Sequence, residues 1–104
     1  MMPAEVMRAD VKIRRSERAV FRELADGTGV LLQLDSTAYH GVNRIGVLIW
    51  SLIDQGTTMS RLTDDVRSRV TDPPPEIADD VEEFVRDLSS RELVIIEDPS
   101  APDD

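Results

Sequence analysis

His40 is the only imidazole in the 104-residue sequence, and it is the first side chain to consider for acid–base chemistry. Catalysis would require a nucleophile motif with a serine or an aspartate to partner it, and the sequence has no such motif. A metal site would require a second histidine or a cysteine at ligand spacing, and the sequence contains no cysteine. We therefore expect no catalytic residue, no metal and no cofactor, and we interpret His40 as a strand residue or a binding contact.

The Asp35-Ser36 pair is the second candidate, because it resembles the element that carries phosphopantetheine in small, acidic acyl carrier proteins. In those proteins the serine begins a helix and an apolar residue follows it. Here Thr37 and Ala38 lead into a β-prone run, which favours a hairpin turn. A carrier protein stays an alternative, and a mass increase from phosphopantetheine on Ser36 would favour it.

The charge of the chain limits its partners. Acidic residues number 21 and basic residues 12, and fifteen of the acids lie in residues 54–104. Phosphate backbones and anionic membranes would be repelled by this half, so we expect neither nucleic acid nor membrane as a partner. The first residues lack a signal-peptide pattern, which makes the cytoplasm the expected location.

The pattern of apolar residues predicts an α+β domain. Short β-prone runs at 19–24, 30–34 and 38–42 are separated by Asp/Gly and Asp/Ser turns, which is typical of an antiparallel meander. Residues 1–18 are predicted to be a flexible N-terminal arm and residues 98–104 a disordered acidic tail. The domain itself is expected to span residues 19–97.

Three helices follow the predicted meander. Asn43 is a good N-cap for a helix over 44–55, and Gly56 suits its C-terminal end. A second helix begins after Thr57 or Thr58 and stops before the prolines at 73–75. A third helix is predicted over 76–90 and a short strand over 93–96. The order indicates a winged helix-turn-helix-like fold, in which a three-stranded antiparallel sheet precedes three helices and a short terminal strand.

The third predicted helix bears on both DNA binding and peptide binding. It carries six acidic residues against Arg86 alone, which opposes insertion into a DNA groove. A winged-helix transcription regulator or a protein-interaction adaptor stays the alternative class, and binding to a labelled duplex at low salt would favour the regulator. The apolar stripe from Ile77 to Leu88 is most simply core. One of its two flanks could line a groove, and the sequence leaves open which: Asp80, Phe84 and Asp87, or Ala78, Glu82 and Val85.

The strand before the first helix has no obvious protection at its edge. Thr37–Val42 contains neither lysine nor proline, and Ala38 and Gly41 are small enough for close backbone approach. An ordinary protected or inner strand is equally compatible with this composition.

Residues 30–50, which run from Val30 to Trp50, resemble the PqqD-like family of peptide-recognition domains in ribosomal natural-product pathways. In that family a strand ending in an aromatic pair and Leu-Asn precedes a helix with Gly and Ile-Trp. Gly56-Thr57-Thr58 is similar to the family's step into its second helix, and residues 80–88 are similar to its Asp-Val-x-x-Phe helix. The departures are Val42 for leucine, His40 for an aromatic residue and Glu92 for glycine.

The resemblance implies a free-standing RiPP recognition element of the lasso-peptide type, which binds a precursor's leader peptide without catalysis. The leader would add as a strand beside the third strand and lie against the third helix. The implied partners are this leader and a separate leader peptidase or radical-type maturase, and we expect a monomer or a weak homodimer. The peptide-binding residues implied by the resemblance are Thr37, Ala38, Tyr39, His40, Gly41, Val42, Ala78, Asp80, Val81, Phe84, Val85 and Asp87.

Overall fold

The computed structural model describes residues 11–54 and 56–97, which form two antiparallel sheets and three helices. The elements in chain order are β1 (Lys12–Arg15), β2 (Ala19–Glu23), β3 (Gly29–Gln33), β4 (Ala38–Val42), α1 (Arg44–Ile53), β5 (Thr57–Thr58), α2 (Met59–Arg69), α3 (Ile77–Ser90) and β6 (Val94–Glu97). The predicted α+β architecture is confirmed. Most of the predicted arm, the predicted acidic tail and the last residue of the first predicted helix lie outside the described residues.

The strands β2, β3 and β4 form the predicted meander, in that spatial order. Leu31, in the middle of β3, faces Phe21 on one neighbour and His40 on the other. The β3–β4 turn is fastened by the side-chain oxygen of Gln33, which accepts hydrogen bonds from the N–H groups of Asp35 and Ser36. Ser36 thus lies in a hairpin turn and not at the start of a helix.

A second sheet, in the order β5-β1-β6, corrects the prediction that residues 11–18 belong to a flexible arm. β1 pairs with β6 from Lys12 opposite Glu97 to Arg15 opposite Val94. Ile13, within β1, and Val11, just before it, are both buried. The strand has only four residues, and its partner comes from the other end of the chain, so local patterning gives it little signal.

The helices follow the predicted boundaries to within about two residues. Asn43 caps α1 by accepting the N–H of Gly46 at 2.8 Å, and Thr58 caps α2 by accepting the N–H of Arg61 at 3.2 Å. Gly56 has a φ of +99°, the left-handed conformation expected of a residue that follows a helix. The segment with three prolines separates α2 from α3, as predicted.

One apolar core joins the helices to both sheets. The largest fully buried side chains in the described residues are Ile13, Leu31, Ile49, Ile53, Leu62, Val66, Val81, Val85, Leu88 and Leu93. Trp50 is also buried, and the guanidinium of Arg15 lies 4.5 Å from its ring centroid, which ties β1 to α1. No helix in residues 11–54 and 56–97 has the length and apolar character needed to cross a membrane.

Candidate functional site

Main-chain hydrogen bonds between β2 and β3 determine which residues can bond on the other side of β3. The N–H of Leu34 donates to the carbonyl of Arg18 at 2.8 Å, and the N–H of Leu24 donates to the carbonyl of Thr28 at 2.8 Å. Both pairs continue the β2–β3 register. Bonded and non-bonded pairs alternate along antiparallel strands. The even-numbered residues of β3 therefore bond to β2, and its odd-numbered residues bond to β4.

This alternation gives β4 one bonded edge and one open edge. The odd-numbered residues of β3 stand opposite Ala38, His40 and Val42, which consequently use their main-chain groups on β3. Tyr39 and Gly41 direct their N–H and C=O groups to the opposite edge. In residues 11–54 and 56–97, no further strand pairs with β4 on that side. The composition of Thr37–Val42 did not decide whether this edge is protected, and in the described residues no strand pairs with it.

The two faces of β4 differ in character. His40 and Val42 lie on the face that covers the core, because Leu31, which stands opposite His40, is fully buried. Tyr39 lies on the other face and is 74% exposed, beside Leu32 and Val30. A strand added at the open edge would turn alternate side chains toward the core face and toward this outer face.

Beyond the end of β4, an open groove of about 650 Å³ runs between the first turns of α1 and one side of α3, and Asn43, the residue after β4, forms part of its lining. Its apolar lining consists of Ile45, Gly46, Ile49, Val70, Pro74, Ile77, Val81 and Phe84. Its polar lining includes Asn43, Asp80, Glu83 and Asp87. The Asp80, Phe84 and Asp87 flank of α3 therefore faces the groove, which resolves the choice that the sequence left open.

The groove depends on a glycine in α1. A Cβ placed at Gly46 would come within 2.9 Å of Phe84 Cε1 and would also collide with Val42 Cγ1. The absence of this one methyl group lets α1 approach β4 and α3 closely enough to share the groove. This packing gives a physical reason for the glycine that the family resemblance includes at this position.

A polar contact connects β4 to α3 at the C-terminal part of the helix. His40 Nε2 lies 3.3 Å from Asp87 Oδ2, and the same carboxylate oxygen accepts from Arg91 Nε at 3.2 Å. The His40 side chain is only 21% exposed. His40 thus spans the space between strand and helix, and its ring nitrogen is engaged with a carboxylate. In the part of the chain that the structure describes, no group of three or more His, Cys, Asp or Glu side chains is placed to hold a metal ion.

The structure places the sequence-predicted site residues in several different environments. Asp80, Val81, Phe84 and Asp87 line the groove, and Ala38, His40, Gly41 and Val42 belong to β4. Val85 is completely buried in the core and has no surface to offer a peptide. Tyr39 is on the outer face, and Ala78 is exposed but outside the groove lining. Thr37 lies in the turn with a φ of +57°.

The sequence prediction did not include the contribution of α1. Asn43, Ile45, Gly46 and Ile49 line the groove, and Ile45 is 43% exposed. The available signal was the position of Ile45, one residue after the start of the helix and next to a glycine. Its spacing matched the apolar stripe of α1, so the sequence predicted a core residue and not a surface residue of the groove.

Comparison with known proteins identifies the family. The family model described as "Coenzyme PQQ synthesis protein D (PqqD)" matches residues 28–94, which is more than half of the chain. The chain belongs to the PqqD family. The solved structure "TbiB1 in Complex with the TbiA(beta) Leader Peptide" is similar with a TM-score of 0.68 and 27% identity, over 86% of this chain and 99% of that chain. No curated protein matches the sequence.

The PqqD match begins in the turn before β3 and ends at the first residue of β6. It therefore includes the open edge of β4 and every helix that borders the groove. β1 and β2 precede it, although β1 is fastened to β6 and β2 is fastened to β3. The part of the fold characteristic of the PqqD family is thus the part that carries the candidate site.

Proposed function

We propose that this chain binds the leader segment of a ribosomally synthesised precursor peptide by adding it as a strand to the open edge of β4. The observation that carries the proposal is this edge, where Tyr39 and Gly41 present unpaired main-chain groups. The groove begins at Asn43, the residue after β4. Membership of the PqqD family supports it. The similar TbiB1 structure, which was solved with a leader peptide, supports it as well.

The chemistry of such binding separates affinity from selection. Main-chain hydrogen bonds from Tyr39 and Gly41 would bind any extended peptide, because every residue offers the same N–H and C=O groups. Side chains that turn toward the core face would meet the groove, with Ile45 and Phe84 as its accessible apolar surfaces. The next side chains along the peptide would turn to the outer face, beside Tyr39.

We further propose that the chain acts without catalysis and presents its bound peptide to a separate leader peptidase or radical-type maturase. His40, the only imidazole, has its Nε2 3.3 Å from Asp87 Oδ2, and this contact between β4 and α3 supports a structural or binding role. The cytoplasm is the proposed location, since ribosomal precursors are made there. A monomer or a weak homodimer is the proposed state.

A titration with the two halves of one precursor tests this proposal. The leader half and the core half of a precursor encoded beside this chain's gene would be synthesised with a fluorophore and titrated by fluorescence anisotropy. We expect saturable binding of the leader half alone, and an unchanged peptide mass after incubation. Equal binding of both halves, or cleavage by the repurified chain, would contradict the proposal.

A further inference from the structure

The groove between α1 and α3 combines two surfaces that together suit one kind of side chain, and what we infer from them rests on the proposed function. Its floor is apolar, with Phe84 half-buried and Ile45 43% exposed. Its rim on α3 carries the carboxylates of Asp80 and Glu83, which are three residues apart and therefore neighbours on the helix surface. Both carboxylates are exposed.

The basic residues close to this rim are engaged elsewhere. Arg86, the only basic residue within α3, pairs with Glu82. Arg91 pairs with Asp87, which also contacts His40. In residues 11–54 and 56–97, no Lys, Arg or His nitrogen lies within 4.0 Å of the Asp80 or Glu83 carboxylate, and no basic residue lines the groove.

A long basic side chain fits this combination better than a purely apolar or an acidic one. The methylene stem of lysine or arginine can lie along Ile45 and Phe84 while its charged end reaches water and the rim. Asp80 and Glu83 would then gain a charge partner at the edge of the groove. An acidic side chain in the same place would be repelled by both carboxylates.

We infer that the groove selects a leader segment with a lysine or arginine on the side chains turned toward α3. Because side chains alternate along a strand, this basic residue belongs to the same set of alternate positions as the peptide's apolar groove contacts. It lies two or four positions along the peptide from those contacts. Asp80 and Glu83 are the residues of this chain that determine the preference.

A display selection tests the preference without knowledge of the natural leader. The probe is a library of random 12-residue peptides, selected on the wild-type chain and sequenced before and after selection. We expect enrichment of lysine or arginine at one position, with apolar residues at alternate positions beside it. The peptides retained by the wild-type chain would then be synthesised and titrated against two charge-matched double variants.

The first double variant is Asp80→Asn with Glu83→Gln, which removes both rim charges with little change in shape. The control is Glu76→Gln with Asp79→Asn, which removes one charge at the N-cap of α3 and one in its first turn, both outside the groove lining. We expect Kd to rise about 3- to 10-fold in the rim variant, and less than twofold in the control, because partly exposed ion pairs are individually weak. Replacing the peptide's basic residue by leucine should abolish the difference between the two variants.

The outcomes separate this inference from the proposed function. Peptides that lose binding in Gly41→Pro but show no basic enrichment would overturn the inference and leave strand addition in place. If no selected peptide depends on Gly41, strand addition fails and this inference fails with it. An equal rise in Kd for the rim variant and its control would also overturn the inference, since a general charge effect would explain it.

Discussion

Gly46 of α1 lies directly against the ring of Phe84 on α3, so close that an added Cβ would come within 2.9 Å of the ring carbon Cε1. This contact brings together the end of β4, the start of α1 and the middle of α3. The candidate groove lies beside this contact, between α1 and α3, and Val70 and Pro74 from the segment before α3 complete its lining.

Replacing Gly46 by alanine should destabilise the fold by about 1 to 2 kcal/mol. The added methyl group overpacks the contact with Phe84 and Val42, and this cost exceeds the gain of about 1 kcal/mol from alanine's better helix propensity. Chemical denaturation measures the difference. The matched control is Gly41→Ala, since a Cβ at Gly41 meets no atom within 4 Å. Identical destabilisation by both substitutions would argue against the close-packing account of Gly46.

Phe84 and Val85 are neighbours on α3 with different expected roles. Val85 is fully buried, so Val85→Ala should lower stability by about 1 to 3 kcal/mol, mainly through the cavity it leaves. Phe84→Leu keeps an apolar side chain but reduces the floor of the groove, and we expect it to weaken leader binding more than it weakens the fold. Denaturation and anisotropy titration on both variants give the comparison. A Val85→Ala chain that keeps full stability but loses peptide would reverse this assignment.

Glu92 adopts a left-handed conformation, with a φ of +60°, between α3 and β6. This conformation is unfavourable for a residue with a Cβ, so Glu92→Gly should raise stability by about 0.5 to 1 kcal/mol. The position is also the one where the family resemblance leads us to expect glycine. Ser90→Gly, in the last turn of α3, is the control and should lower stability. A drop in melting temperature for Glu92→Gly would show that the conformation is not strained.

The pKa of Asp26 should rise when one hydrogen bond in the β2–β3 turn is removed. The Thr28 hydroxyl donates to its carboxylate at 2.6 Å, and this bond, with that from the Thr28 N–H, lowers the pKa of Asp26 below its ordinary value of 3.8. The resulting stabilisation is present above the unfolded pKa and is lost as pH falls through the lower folded pKa. Thr28→Val should therefore raise the pKa of Asp26 and reduce the difference in stability between neutral and acidic pH. An NMR titration of the carboxyl resonance checks it, and an unchanged pKa in the variant would refute the hydrogen-bond explanation.

Local signals in the sequence were sufficient for the helices and for the β2–β3–β4 meander. Asn43 as a cap, the prolines before α3 and the stripe from Ile77 to Leu88 each act within a few residues, so they can be interpreted without the rest of the fold. β1 could not be predicted in this way, because its pairing with β6 joins residues from opposite ends of the described chain.

The site was predictable only in part for the same reason. Composition left open whether the strand is unguarded or protected. The register that turns the main chain of Tyr39 outward depends on bonds to β3, which depend in turn on β2. A helical wheel placed Val81 and Val85 on one stripe and could not show that Val81 borders the groove whereas Val85 does not. The part played by Ile45 required knowledge of how α1 lies against α3.

The most direct test of strand addition is a comparison of proline substitutions along β4. Gly41→Pro and Tyr39→Pro remove N–H groups that point to the open edge, so these variants should stay folded. His40→Pro removes an N–H bonded to β3 and should destabilise the sheet. Gly41→Ala is the matched control for Gly41→Pro, because it keeps the donor.

The decisive measurement is the affinity of the leader peptide for Gly41→Pro relative to Gly41→Ala, by anisotropy titration on chains shown to be folded. Loss of one main-chain hydrogen bond costs about 0.5 to 1.5 kcal/mol, so we expect Gly41→Pro to bind up to about tenfold more weakly. Equal affinity of the two folded variants, repeated for Tyr39→Pro against the wild-type chain, would contradict strand addition at the edge of β4.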